Sequence, residues 1–305
     1  MNVIETVAGM EAERAGMAGS VGFVPTMGYL HEGHISLVCR ARADNDHVIA
    51  SIFVNPTQFG PGEDYDRYPR DPERDLRLLE GEHVDVVFAP TVEEMYPPGF
   101  DDWVEVHGLL VSRLEGAARP GHFRGVTTVV ARLFRIVRPH RAYFGQKDAQ
   151  QLRVIRQMVR DLALPVEIVP LPTVRDVDGL ALSSRNVYLS PKEREAALVL
   201  PRALALAQEM FQEQGVRDAG LVRSSLERYI RRVPGVNLEY VSIADEETLE
   251  ELDAIDRPAL VLLAARVGFT RLIDNTLLVP QGVAVPERLR QIKEELKAAL
   301  GKHGG

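Results

Sequence analysis

The feature that most constrains this chain is an alternation, sustained over its first 176 residues, between short apolar runs and amphipathic stretches of helical period. The runs "SVGFVPTMG", "DHVIASIFVNP", "VDVVFAP", "AYFG" and "PVEIVPLPTV" read as strands. Between them, "HISLVCRARADN", "DPERDLRLLEGE", "VTTVVARLFRIVRP" and "DAQQLRVIRQMVRDL" read as helices, with Asp71 placed as an N-cap and Pro72 at the first helical position. In the third helix Val126, Val129, Val130, Leu133, Phe134 and Val137 form an apolar stripe, with Arg132, Arg135 and Arg138 off it. Strands that are apolar along their whole length are buried on both faces, which parallel sheets covered by crossover helices require. The expected fold class is therefore α/β, a doubly wound, Rossmann-like parallel sheet of the nucleotide-binding type spanning residues 1–176.

Beyond that point the pattern changes. Helical "KEREAALVLPRALALAQEMFQEQ" and "AGLVRSSLERYIRRV" precede strand-like "NLEYVSIAD" and "ALVLLAARVGFTRLIDNTLL", and "ERLRQIKEELKAALGK" reads as a closing helix. Residues 177–305 are expected to form a smaller α+β domain that covers the active site.

Composition narrows the function. A chain of 305 residues with 45% apolar and 26% charged side chains can bury a core of ordinary size. No run approaches the apolar length of a membrane span, and the N-terminus lacks the apolar segment of a signal peptide, so a cytoplasmic protein is expected. One cysteine excludes an internal disulfide and a cysteine-built zinc site, and its setting in "ISLVC" suggests buried packing for Cys39. A net charge of −8 speaks against a broad nucleic-acid surface and leaves open a local cationic pocket for a small anion.

Three polar clusters interrupt the alternation where strands end. In "GYLHEGHISL" His31 and His34 follow the first long strand, and a spacing of three places both on one face of the first helical turn. Ligands of open α/β sheets sit beyond the carboxyl ends of strands, where helix N-termini offer free N–H groups. Gly28 and Gly33 allow close approach of backbone to a ligand. Phosphate binding, helix capping and a metal pair all remain open for these histidines, although a zinc site needs a further ligand.

"YFGQKDAQQLRV" repeats the geometry. Lys147 is the only lysine in the first 191 residues, in a segment otherwise supplied with arginine. An ammonium offers a phosphate oxygen a more compact charge than a guanidinium does. Asp148 begins the helix and serves either as a cap or at the site, and Gln151 shares the face of Lys147 and Asp148. In "GLALSSRN" Ser183, Ser184 and Arg185 supply hydroxyls and a permanent cation able to grip a triphosphate. "FVNPTQFGPGEDYDRYPRD" places Asn55 and Gln58 after the second long strand.

In order and spacing, "PTMGYLHEGH", "FVNPTQFGPGEDYDRYPR", "GHFRGVTTVV", "YFGQKDAQQ" and "ALSSRN" resemble the pantoate–β-alanine ligases, the pantothenate synthetase family. "HEGH" is similar to the HIGH signature of the wider nucleotidyltransferase superfamily, and "LSSRN" to its second, phosphate-gripping loop. Leu182 departs from the methionine usual in the family, a swap that conserves volume. The resemblance implies a cytoplasmic homodimer that joins pantoate to β-alanine through pantoyl adenylate, using ATP with Mg²⁺ and no membrane or nucleic-acid partner. It implies that Met27, Gly28, Tyr29, Leu30, His31, Glu32, Gly33 and His34 line the ATP site, with His34 as proton donor and His31 beside it. Gly145, Gln146, Lys147, Asp148, Val174, Leu182, Ser183, Ser184 and Arg185 would complete that site. Gln58, Gln151 and Asn55 would hold pantoate and β-alanine, His31, His34 and Lys147 would carry the catalysis, and no protein metal ligand is assigned. A nucleotidyltransferase acting on a phosphorylated acceptor and a non-catalytic nucleotide sensor are the alternatives.

Overall fold

The computed structural model describes residues 1–283, in two compact units, Met1–Leu171 and the described residues from Pro172 onward. The helix expected in "ERLRQIKEELKAALGK" lies outside the described residues.

The first unit begins with two elements that the sequence pattern does not announce, β1 (Asn2–Ile4) and α1 (Val7–Gly16), the helix capped by the Thr6 hydroxyl. There follow β2 (Val21–Thr26), α2 (Glu32–Asp44), β3 (His47–Ile52), α3 (Pro72–Gly81) and β4 (Val86–Phe88). Short helices α4 (Val92–Met95), α5 (Leu109–Ser112) and α6 (Glu115–Ala118) lead to α7 (His122–Val137), β5 (Arg141–Gly145), α8 (Ala149–Asp161) and β6 (Glu167–Leu171). Asp71 caps α3 as expected, its carboxylate accepting from the Arg74 N–H at 3.1 Å with Pro72 at the first position.

All neighbouring strands pair in parallel, in the order β1-β4-β3-β2-β5-β6. Side chains alternate between faces as a pleated strand requires. Phe23, Ile49, Val86, Phe88 and Phe144 pack with α1, α7 and α8 on one side. Val24, Val48, Ala50, Val87 and Tyr143 pack with α2 and α3 on the other. The sheet is thus covered on both faces. The stripe on α7 is buried as expected.

Strand order reverses between β2 and β5, the point where open α/β sheets bind ligands. Their pairing stops at Phe23–Ala142, although β2 continues to Thr26 and β5 to Gly145. Pro25 lies in the unpaired stretch and has no N–H to donate. The carboxyl ends therefore open into a crevice.

In the second unit α9 (Pro191–Ala197), α10 (Val199–Gln212) and α11 (Ala219–Ile230) pack on an antiparallel sheet of β7 (Val236–Asp245), β8 (Ala259–Val267) and β9 (Thr270–Leu278). Two expected continuous elements are divided. The helix over 192–214 breaks at Leu198, because Pro201 cannot donate to the carbonyl one turn back. The run 259–278 is a hairpin whose two-residue turn starts at Gly268, with φ +59°. Cys39 also differs from expectation. It is exposed, since α2 buries Leu37, Val38 and Ala41 instead, and its thiol donates to the Glu82 carboxylate at 3.2 Å.

Candidate active site

The histidines stand where β2 hands over to α2. His31 is the N-cap of α2, and its Nδ1 accepts from the Gly33 N–H at 3.1 Å. His34 Nδ1 accepts from the His31 N–H at 3.2 Å. Capping is one function left open by the sequence, and the structure makes it real for both rings. It does not exhaust them. With both Nδ1 atoms acting as acceptors, each neutral ring carries its proton on Nε2. The rings lie 4.1 Å apart between centroids.

Burial pushes His31 down to about 4, helped by the nearby Lys147 ammonium. His34 falls to about 3, through burial first, then the charges of His31 and Lys147. Both rings are therefore neutral hydrogen-bond donors at physiological pH. His122, buried beside Arg119, is likewise pushed down to about 4. The sign of the stability effect follows. As pH drops below about 6.5 the unfolded chain takes up protons that these three native rings refuse, so stability is lost progressively toward pH 4. Each ring contributes a slope of about 1.4 kcal/mol per pH unit in that window. Urea midpoints measured at pH 7, 6 and 5 should fall stepwise; a midpoint unchanged down to pH 5 would contradict the assignment.

Lys147 occupies a 3-10 turn, Gln146–Asp148, directly after β5, across the strand-order reversal from His31. Its charge is felt by both histidines. Asp148 precedes α8 without a side-chain capping bond, and its carboxylate opposes Lys147 in its effect on His31. The capping alternative for the Asp148 side chain is thereby removed. Gln146 is buried, while a Cβ at Gly145 would meet nothing within 4 Å. Gln151, half-buried in the first turn of α8, lies one step beyond.

A second group gathers after β3. Gln58 donates from Nε2 to the Met27 sulfur at 3.3 Å and accepts at Oε1 from Asn55 Nδ2 at 3.1 Å. Asn55 is 1% exposed, and its amide is spent internally: Oδ1 accepts from Thr57 and from Tyr96 Oη at 2.7 Å, and Nδ2 also donates to the Gly125 carbonyl. Asn55 therefore orients Gln58.

Several supporting residues escape a reading of the sequence. The Gln58 carbonyl accepts from His122 Nδ1 at 2.8 Å and Arg119 Nη2 at 3.3 Å, and Arg119 is forked onto Glu63 at 2.6 and 2.7 Å. Asp75 receives the N–H groups of Tyr29 and Leu30. The motifs "GHFRG" and "GPGEDYDRYPRD" hold His122 and Glu63, while Arg119 and Asp75 lie just outside them, and nothing local tells which partner each will find.

In the second unit, the Leu182 N–H donates to the Val174 carbonyl at 3.0 Å, closing a narrow ladder that turns at Gly179. Ser183 caps the 3-10 turn Ser184–Tyr188, its hydroxyl accepting from the Arg185 N–H at 3.3 Å, and Ser184 is buried.

Residues 2–277 match the family model described as Pantoate-beta-alanine ligase. The chain belongs to the pantoate–β-alanine ligase family. Among relatives of that family, the pantothenate synthetase of Roseiflexus castenholzii is 63% identical over 278 residues, 91% of this chain and 99% of that one. That of Thermotoga neapolitana is 58% identical over 281 residues, 91% of this chain and all of that one. A crystal structure of the pantothenate synthetase from Thermus thermophilus superposes with a TM-score of 0.87 at 55% identity, covering 92% of this chain and 100% of that chain. The ligase of Francisella tularensis, solved with a β-γ ATP and β-alanine, gives 0.77 at 35% identity, covering 91% and 97%. The chain is accordingly an ATP-dependent ligase by family, with the expected α/β sheet and small antiparallel domain.

Proposed function

We propose that this chain condenses (R)-pantoate with β-alanine to give (R)-pantothenate, AMP and pyrophosphate, through pantoyl adenylate. The observation that carries the reading is the pairing of two neutral histidines with Lys147 across the strand-order reversal of a family-typical sheet. A pantoate carboxylate oxygen attacks the α-phosphorus and pyrophosphate leaves. The amine of β-alanine then adds to the acyl carbon, loses a proton, and AMP departs. A carboxylate is already a nucleophile, so the first step needs alignment and charge neutralisation more than a base.

His31 and His34 donate Nε2–H bonds to phosphate oxygens, which is the form the proton-donor role of His34 takes while its ring is neutral. Lys147 supplies the positive charge. Residues 27–34 and 145–148 contact the nucleotide, and Val174, Leu182, Ser183, Ser184 and Arg185 of the second unit belong to the same reading. Mg²⁺ enters as part of Mg-ATP. It prefers phosphate and water oxygens, and among the described residues no three His, Cys, Asp or Glu side chains cluster as metal ligands. A cytoplasmic, homodimeric enzyme completes the proposal. Among the described residues no helix is long and apolar enough to cross a membrane.

Gln58 and Gln151 hold pantoate through their amides. Gln58→Ala and Gln151→Ala should each raise the KM for pantoate about five- to tenfold, the worth of one hydrogen bond of about 1 kcal/mol or somewhat more. A raised KM for ATP with that for pantoate unchanged would reassign both. The function itself is tested by ATP consumption and AMP release with pantoate, β-alanine, both or neither. Sustained AMP release only when both are present is expected, and AMP release indifferent to pantoate would refute it.

A further inference from the structure

The turn that carries the histidines is held from α3 by one carboxylate. Asp75, 1% exposed, accepts the Tyr29 N–H on Oδ2 at 2.6 Å and the Leu30 N–H on Oδ1 at 2.8 Å. Both oxygens are used, one per backbone donor. The two N–H groups belong to the residues immediately before His31.

The turn needs such a hold. Tyr29 sits at φ +50°, in the left-handed region that side chains disfavour, and Gly28 at φ +78°. The approach at Gly28 is close: a Cβ there would lie 3.0 Å from Asp75 Oδ2. Arg74 grips the same turn from its other side, donating Nη1–H to the Leu30 carbonyl at 2.8 Å with its guanidinium 5.7 Å from the Tyr29 ring centre. Helix α3 does not require Asp75 for its own sake, because Asp71 caps it and Glu73 already places negative charge in its first turn. A desolvated carboxylate is an expensive way to stabilise a helix.

We propose that Asp75, assisted by Arg74, is a positioning residue for the His31–His34 pair: its two oxygens lock the strained Tyr29–Leu30 turn and thereby the direction in which the imidazoles enter the crevice. This rests on the ligase reading for its kinetic consequences, but its geometric content stands apart from activity. Loss of the lock lets His31 leave its capping position, so the interactions lost are those made with the transferring phosphate. Turnover suffers more than pantoate binding.

Asp75→Asn preserves volume but presents one acceptor oxygen and one donor amide, so one backbone N–H loses its partner. Pantoate-dependent exchange of pyrophosphate into ATP should fall at least tenfold in kcat, with the KM for pantoate within twofold of its original value. Ring-nitrogen NMR signals of His31 and His34 should shift in the same variant without substrate. Leu79→Ala, at a fully buried position on the same helix, separates positioning from helix stability. It should lower Tm while exchange, assayed well below Tm, stays within twofold and the histidine signals stay in place. Arg74→Ala covers the case in which Asp75→Asn does not fold, and should lower kcat several-fold with Tm unchanged. The proposal is overturned if Asp75→Asn exchanges at the original rate with unmoved histidine signals, if Leu79→Ala reproduces its loss, or, where Asp75→Asn does not fold, if Arg74→Ala turns over normally. Absence of exchange in the unaltered enzyme would instead refute the ligase reading, and the histidine signals would still decide the positioning.

Discussion

Replacing Lys147 by alanine is expected to slow pantoyl adenylate formation by about a hundredfold or more, the range found when one preorganised donor is removed from an active site. Lys147 lies on the turn after β5, and its ammonium acts on both His31 and His34. As the carboxylate attacks, negative charge moves from the triphosphate onto the bridging oxygen of the departing pyrophosphate. A cation that follows this charge strengthens its interaction in the transition state, and its loss appears in turnover. Lys147→Arg should rescue little. A guanidinium spreads its charge over a planar fork and cannot concentrate it on one oxygen. Single-turnover measurement of adenylate formation decides the point, and near-normal rates in the arginine variant would mean that position 147 requires only positive charge.

An effect of similar size is expected at Gly125 on α7. A Cβ there would fall 2.3 Å from the Thr57 carbonyl oxygen and 2.6 Å from the Gln58 nitrogen. Both are backbone atoms that no rotamer change can withdraw. Gly125→Ala must therefore push the 56–58 turn away from α7, carrying the Gln58 amide with it and straining the Asn55 bond to the Gly125 carbonyl. A displacement of about 1 Å in a substrate-holding group can reduce the rate about a hundredfold. The kcat/KM for pantoate should fall by about that factor, with the KM for ATP little changed. Overpacking should also lower stability by about 1–3 kcal/mol. A variant with unaltered kcat/KM for pantoate would show that Gln58 does not hold the substrate as proposed.

The contrast between these two positions shows what the sequence makes legible. His31, His34 and Lys147 stand out because each lies in a short contiguous motif placed after a strand, and parallel topology brings the carboxyl ends of strands to one edge. The doubly wound sheet is legible for the same reason: apolar runs and helical stripes are local patterns. Asp75 and Gly125 are not, because they act through partners 46 and 70 residues away and look like any acid or glycine on a helix. Asn55 is visible as a polar residue after a strand, yet only the fold shows that its amide serves Gln58. The β8–β9 hairpin is hidden by a turn of two residues, Gly268 and Phe269, inside an otherwise apolar run. Cys39 misleads through its neighbours, since one step along a helix turns a side chain by about 100° and out of the core.

The central claim is that activation of pantoate by ATP is complete before the amine takes part. Exchange of labelled pyrophosphate into ATP, measured with pantoate present and β-alanine absent, tests it most directly. The account predicts exchange that depends on pantoate, needs no β-alanine, and falls about a hundredfold or more in Lys147→Ala. Exchange that appears only once β-alanine is added would contradict it.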